Sequence, residues 1–72
     1  MKELETIELL LDGQAHVAPR GTTLDSLVAG LGHAPNKVTT AVNGLFVARS
    51  QREQHVLQPG DAVLLFQPIE GG

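Results

Sequence analysis

Turn chemistry and hydrophobic periodicity predict an α+β roll, a mixed sheet of four to five strands with one main helix packed on one face. Three observations carry that expectation. Two dipeptides that favour two-residue hairpin turns, Asp12-Gly13 and Asn43-Gly44, each separate a pair of short apolar runs. Between the hairpins lies a single stretch with helical spacing, in which Leu24, Leu27, Val28 and Leu31 stand at i, i+3, i+4 and i+7. The last run, Ala62 to Phe66, is apolar at every position, the pattern of an interior strand with neighbours on both sides.

In chain order, Thr6 to Leu11 places Ile7, Leu9 and Leu11 on one side and Thr6, Glu8 and Leu10 on the other, the period of two of a half-buried strand. Asp12-Gly13 turns the chain, and Ala15 to Ala18 returns as a second strand until Pro19, which has no N–H to give to a ladder. Thr22-Thr23 offers a hydroxyl N-cap for the helix. Gly30 and Gly32 are candidates for the left-handed residue that closes it, and Pro35 prevents its continuation. Val38 to Val42 is rich in β-branched residues and returns through Asn43-Gly44 as Leu45-Phe46-Val47. Arg49 to His55 is polar and suits a turn of helix, Leu57 anchors it, and Gln58-Pro59-Gly60-Asp61 turns tightly into the last strand. The first and last strands are expected to be parallel neighbours at the centre of the sheet. With Val63 and Leu65 on the helix-covered face beside Ile7 and Leu9, Leu64 and Phe66 point to the opposite face, which has no second layer to cover it.

Seventy-two residues make one domain, and a domain of this size buries only about 60% of the surface its unfolded chain exposes. A large active-site cavity is not expected. Leu, Ile, Val and Phe supply 22 of the 72 residues, well above the roughly 20% below which chains tend to stay disordered. The organisation expected is a domain over residues 1–67 and a flexible tail over residues 68–72. Zero cysteines exclude disulfides, thiolate metal sites, a thiol nucleophile and a side-chain persulfide. The charged start Met1-Lys2-Glu3-Leu4-Glu5 lacks the apolar stretch of a signal peptide or membrane span, so a cytoplasmic protein is expected. With a net charge of -3, five scattered basic residues (Lys2, Arg20, Lys37, Arg49 and Arg52) and two aromatics, nucleic acid is a poor ligand. A mildly acidic surface suits either a basic protein partner or plain solubility.

No catalytic pattern stands out. Ser26 and Ser50 lack a nucleophile-elbow context, and no phosphate-binding loop of Walker type occurs. His16, His33 and His55 show no metal-ligand spacing, and the carboxylates are spread along turns and strand edges. What remains is the diglycine Gly71-Gly72. Glycine has no side chain and little backbone restriction, so such a tail can thread a narrow channel and present the Gly72 carboxylate with nothing beside it. A carboxylate becomes reactive once ATP converts it to an acyl-adenylate, and with no ATP site in the chain a partner enzyme must do this. Sulfur attack on the adenylate then leaves a thiocarboxylate, a nucleophile that needs no cysteine.

The segments Leu11-Asp12-Gly13-Gln14, Gly21-Thr22-Thr23-Leu24, Ala41-Val42-Asn43-Gly44, Val47-Ala48-Arg49, Leu57-Gln58-Pro59-Gly60-Asp61, Val63-Leu64-Leu65-Phe66-Gln67 and Gly71-Gly72 stand in one order over nearly the whole chain. As an ordered set they resemble the ubiquitin-like β-grasp sulfur carriers, most closely the branch that serves thiazole formation in thiamine biosynthesis. The resemblance implies a β-grasp fold and a monomer that is a protein substrate, not an enzyme. Gly72 would be adenylated by a ubiquitin-activating-type adenylyltransferase using ATP and magnesium, with Gly71 giving access. Sulfur would come through a cysteine desulfurase relay and pass to thiazole synthase. Leu64, Phe66 and the tail residue Ile69 are the expected docking positions. Two departures stand out: relatives often read Val-Pro-Arg at Val47-Ala48-Arg49, and tryptophan is common at Arg52. The ending also resembles the small subunit of molybdopterin synthase, so a sulfur carrier of that type is an alternative reading. A non-catalytic β-grasp interaction module and a lysine-conjugated modifier are the rival readings.

Overall fold

A computed structural model describes residues 5–67. Five strands, β1 (Thr6–Leu11), β2 (Gln14–Pro19), β3 (Thr39–Val42), β4 (Leu45–Val47) and β5 (Ala62–Phe66), surround one helix, α1 (Leu24–Gly30), with short 3-10 turns at Pro35–Lys37 and Arg49–Gln54. The strand order is β2-β1-β5-β3-β4. β1 and β5 run parallel and the other neighbours antiparallel. The all-apolar last strand is therefore the central one, as its composition requires.

Both hairpin turns are of the mirror-image type I′. Asp12 and Asn43 sit at φ 52° and 54°, followed by Gly13 and Gly44 at 85° and 82°, the pair of left-handed conformations that matches the strand twist. These fix the registers Leu11↔Gln14 and Val42↔Leu45. The two turn side chains do more than turn. β1 bends away at Asp12, and the Asp12 carboxylate accepts the Leu65 N–H at 3.1 Å. At the other end of β5, Asn43 Oδ1 accepts the Ala62 N–H at 2.9 Å while its amide donates to Asp61 at 3.0 Å.

Thr23 caps α1, its hydroxyl accepting the Ser26 N–H at 3.1 Å. The left-handed stop is Gly32, at φ 87°, and Gly30 stays inside the helix. Leu31 is the C-cap and stands exposed instead of completing the apolar face. Leu24, Leu27 and Val28 bury against Ile7, Leu9 and Val63, with Leu57 closing the core. Pro19 joins β2 opposite Thr6, tolerated because β2 is an edge strand with no neighbour to want its N–H. Its carbonyl accepts from both the backbone and the hydroxyl of Thr22.

Arg52 corrects the expectation of a scattered surface charge: it is 2% exposed. Its Nη2 donates to the Val38 carbonyl at 2.7 Å, Nη1 to the Pro35 carbonyl at 3.0 Å, and Nε to the Thr40 hydroxyl at 3.1 Å. Thr40, itself fully buried, passes its own proton to the Val47 carbonyl at 2.9 Å. A planar fork of donors can satisfy several fixed carbonyls at once, which a lysine cannot do. This also explains why β3 starts at Thr39 and not at Val38, whose carbonyl is engaged by Arg52.

Urea melts compare Arg52→Ala with Arg49→Ala. The first strands two carbonyls and a hydroxyl and is expected to lose about 2–5 kcal/mol; the exposed Arg49 should change stability by less than about 0.5 kcal/mol. Equal losses would dissolve the distinction. The face assignment has its own check: Leu9→Ala should cost about 2–5 kcal/mol through cavity formation, and Phe66→Ser under about 1 kcal/mol, because its ring lies outside the core.

Candidate functional site

Alternation along β5 splits its residues between two faces. Val63 is fully buried and Leu65 packs against the core, whereas Leu64 and Phe66 are 39% and 52% exposed. The open face of the sheet follows from pairing. Ala41 lies opposite both Phe46 on β4 and Leu64 on β5, so these three form a row. Thr39 lies opposite Phe66, and Leu10 on β1 lies beside Ala62. Phe46 is 69% and Leu10 44% exposed. The two phenylalanines are the only aromatic residues in the chain, and both stand on the uncovered face. Such rings usually serve core packing; exposed apolar clusters of this kind mark contact surfaces, in which aromatic anchors carry much of the affinity.

Neither Phe46 nor Leu10 was among the docking positions expected from the sequence, although alternation in β1 had already set Leu10 on the side away from the core. The signal was present: the two-residue Asn43-Gly44 turn fixes Val42↔Leu45, which places Phe46 opposite Ala41 and hence on the face of Leu64. Leu64 and Phe66 occupy the face expected of them. Ile69, Gly71 and Gly72 lie outside the described residues, as does the expected tail over residues 68–72.

Two carboxylates lie on or beside this face. Glu8 shares the open side of β1, and Asp12 is exposed at the end of the sheet towards which β5 runs. Of the basic residues described, Arg52 is buried and Arg20 is paired with Glu5 at 2.8 Å in an exposed bridge worth little by itself. Lys37 and Arg49 are the exposed cations left among the described residues.

The end of β5 is held by side chains from two other elements. Besides the Asp12 contact to Leu65, Gln67 Nε2 lies 3.0 Å from His33 Nδ1 in the loop after α1. Nothing in this arrangement resembles a catalytic centre. Among the described residues no group of three or more His, Cys, Asp or Glu is placed to hold a metal ion. Two surface grooves among the described residues measure about 260 and 230 Å3, below the roughly 300–1,000 Å3 of small-molecule sites. No helix among the described residues is long and apolar enough to cross a membrane.

Comparison with known proteins places this geometry. The chain matches the model of the ThiS family over residues 3–72. The sulfur carrier protein ThiS of Escherichia coli is 36% identical over 66 residues, 92% of this chain and 100% of that protein. A thiazole synthase of Magnetococcus marinus is 39% identical over 66 residues, 92% of this chain but 20% of the synthase, so the chain spans about a fifth of that relative's length. The crystal structure of thiamine biosynthesis protein ThiS from Geobacter metallireducens has a TM-score of 0.79 at 22% identity, with 92% of this chain and 100% of that one covered. A computationally designed protein based on a human ubiquitin template has a TM-score of 0.57 at 23% identity, with 96% and 98% covered. These two structures establish the ubiquitin-like β-grasp fold. The chain belongs to the ThiS family of ubiquitin-like sulfur carriers, proteins that other enzymes act upon and that are not enzymes themselves.

Proposed function

We propose that the Gly72 carboxylate is the group that this carrier loads and delivers, on a tail of residues 68–72 that extends from a domain of residues 1–67. The family match that runs through Gly72 carries this reading. A partner adenylyltransferase of the ubiquitin-activating type, with ATP and magnesium, would supply the chemistry this chain lacks. The carboxylate oxygen attacks the α-phosphorus of ATP and pyrophosphate leaves; the outer sulfur of a persulfide from a cysteine desulfurase relay then displaces AMP at the carbonyl carbon to give an acyl disulfide. A thiol attacks the donor-side sulfur of that bond, supplying the two electrons that release the thiocarboxylate and leaving a disulfide behind. Splitting the exchange into successive displacements makes each one accessible. Gly71 leaves the reacting carbonyl unhindered, and the five residues reach at most roughly 17 Å beyond Gln67. The cytoplasm, where ATP and these partners meet, is the compartment this chemistry needs.

The acceptor we favour is thiazole synthase. The Magnetococcus marinus relative supports it, because a segment like this chain lies within a protein of that name. For docking we assign the open face of the sheet, with Leu64 and Phe66 joined by Phe46, and with Ile69 continuing the contact along the tail. The carboxylates of Glu8 and Asp12 on or beside that face suit a basic rim on the partner.

Intact mass after incubation with ATP, magnesium, a sulfur source and the activating enzyme of the same organism tests the reading. The expected result is the mass of one oxygen-to-sulfur exchange at Gly72, abolished when Gly72 is deleted; sulfur on a side chain, or on the truncated chain, would refute it. Titration calorimetry tests the face. Phe66→Ser should weaken binding to the activating enzyme by about 1–3 kcal/mol, and unchanged affinity would move the docking surface elsewhere.

A further inference from the structure

Gln67 is the first residue beyond β5, where the ladder has ended on both sides. On the β1 side the chain has already turned at Asp12, whose carboxylate takes the Leu65 N–H. On the β3 side Thr39 opposite Phe66 is the last pair. The Gln67 side chain instead reaches His33 Nδ1 at 3.0 Å. As placed, the Gln67 amide nitrogen donates and His33 Nδ1 accepts.

His33 is a firm post for such a contact. Gly32, left-handed at φ 87°, donates its N–H to the Ala29 carbonyl at 3.0 Å, and His33 donates its own to the Val28 carbonyl at 3.3 Å. That pair of bonds is a Schellman closure, which fixes the two residues beyond the helix relative to its last turn. The ring is half-buried. Through it, the residue from which the tail departs is tied to the helix as well as to the sheet.

We propose that His33 is a positioning residue of the carrier reaction: it holds Gln67 against the end of α1, so that the Gly72 carboxylate five residues on starts from a fixed point of the docked domain. The inference rests on the carrier reading above. Its leverage is geometric. Five residues reach at most roughly 17 Å, so the place of residue 67 sets which positions the carboxylate can sample, and misplacement lowers the rate of an oriented reaction. The open face of the sheet does the docking and the His33–Gln67 bond does the aiming, so the two separate kinetically.

Pyrophosphate release by the activating enzyme of the same organism, followed at steady state with this protein as the varied substrate, reads both. His33→Ala and Gln67→Ala should each lower kcat about three- to tenfold with KM changed less than twofold, and the double variant should be no worse than either single one. His33→Asn, whose Oδ1 stands close to the position of Nδ1 and accepts the same hydrogen bond, should restore kcat to within twofold of wild type. Thermal melts of all four variants should agree with wild type to within about 2 °C, since one exposed hydrogen bond carries little of the stability. An unchanged kcat in His33→Ala, additive losses in the double variant, or a loss that follows melting temperature and is not rescued by Asn would overturn the proposal. Failure of the wild-type protein to support pyrophosphate release would instead overturn the carrier reading, and the positioning role with it.

Discussion

The central strand outlasts both of its neighbours, and the fold depends on how that mismatch is met. β1 turns away at Asp12 while β5 still has Leu65 to place, and β3 turns at Asn43 beside Ala62, the first residue of β5. A strand end with free N–H groups is open to fraying. The same two residues whose left-handed backbones make the hairpin turns lend their side chains to those N–H groups. Each hairpin is thereby fastened to the central strand by its own corner, and sheet order and hairpin geometry become one constraint.

What the helix covers and what it leaves bare follows from size. α1 has seven residues, too few to be stable in isolation, and it persists because Leu24, Leu27 and Val28 are buried. Among the described residues there is no second α-helix for the other face. The core is small, and its far side, under β3 and β4, is closed by a guanidinium and a threonine hydroxyl in place of further apolar bulk. Every acceptor on Arg52 is neutral, so the buried charge is stabilised by oriented dipoles. Those dipoles come from the stretch Pro35 to Thr40, and the arginine ties it to the turn Arg49–Gln54 where hydrocarbon would only have filled space.

The strands, their turns and the helix start were legible because each rests on local chemistry: alternation in β1, Asx-Gly at both hairpins, the threonine cap. Parity then carried Leu64 and Phe66 to the open face without any knowledge of tertiary contacts. Phe46 needed one more step, the transfer of register across Asn43-Gly44. Arg52 and the Gln67–His33 contact were out of reach, since their partners lie 12 to 17 and 34 residues away in sequence and nothing local marks an arginine as buried. The choice of Gly32 over Gly30 was settled by the hydrogen bonds at the helix end, which composition does not rank.

Placing the last strand at the centre also orders events during synthesis. Asp12 and Leu65 are 53 residues apart, so the bond between them waits until β5 itself has left the ribosome. Until then β1–β2 and β3–β4 are two separate hairpins, each marginal in water, with no strand to join them. A chain broken before residue 62 lacks the middle of its sheet and with it the apolar face that Leu64 and Phe66 complete. Closure of the sheet and completion of its open apolar face thus depend on the same strand.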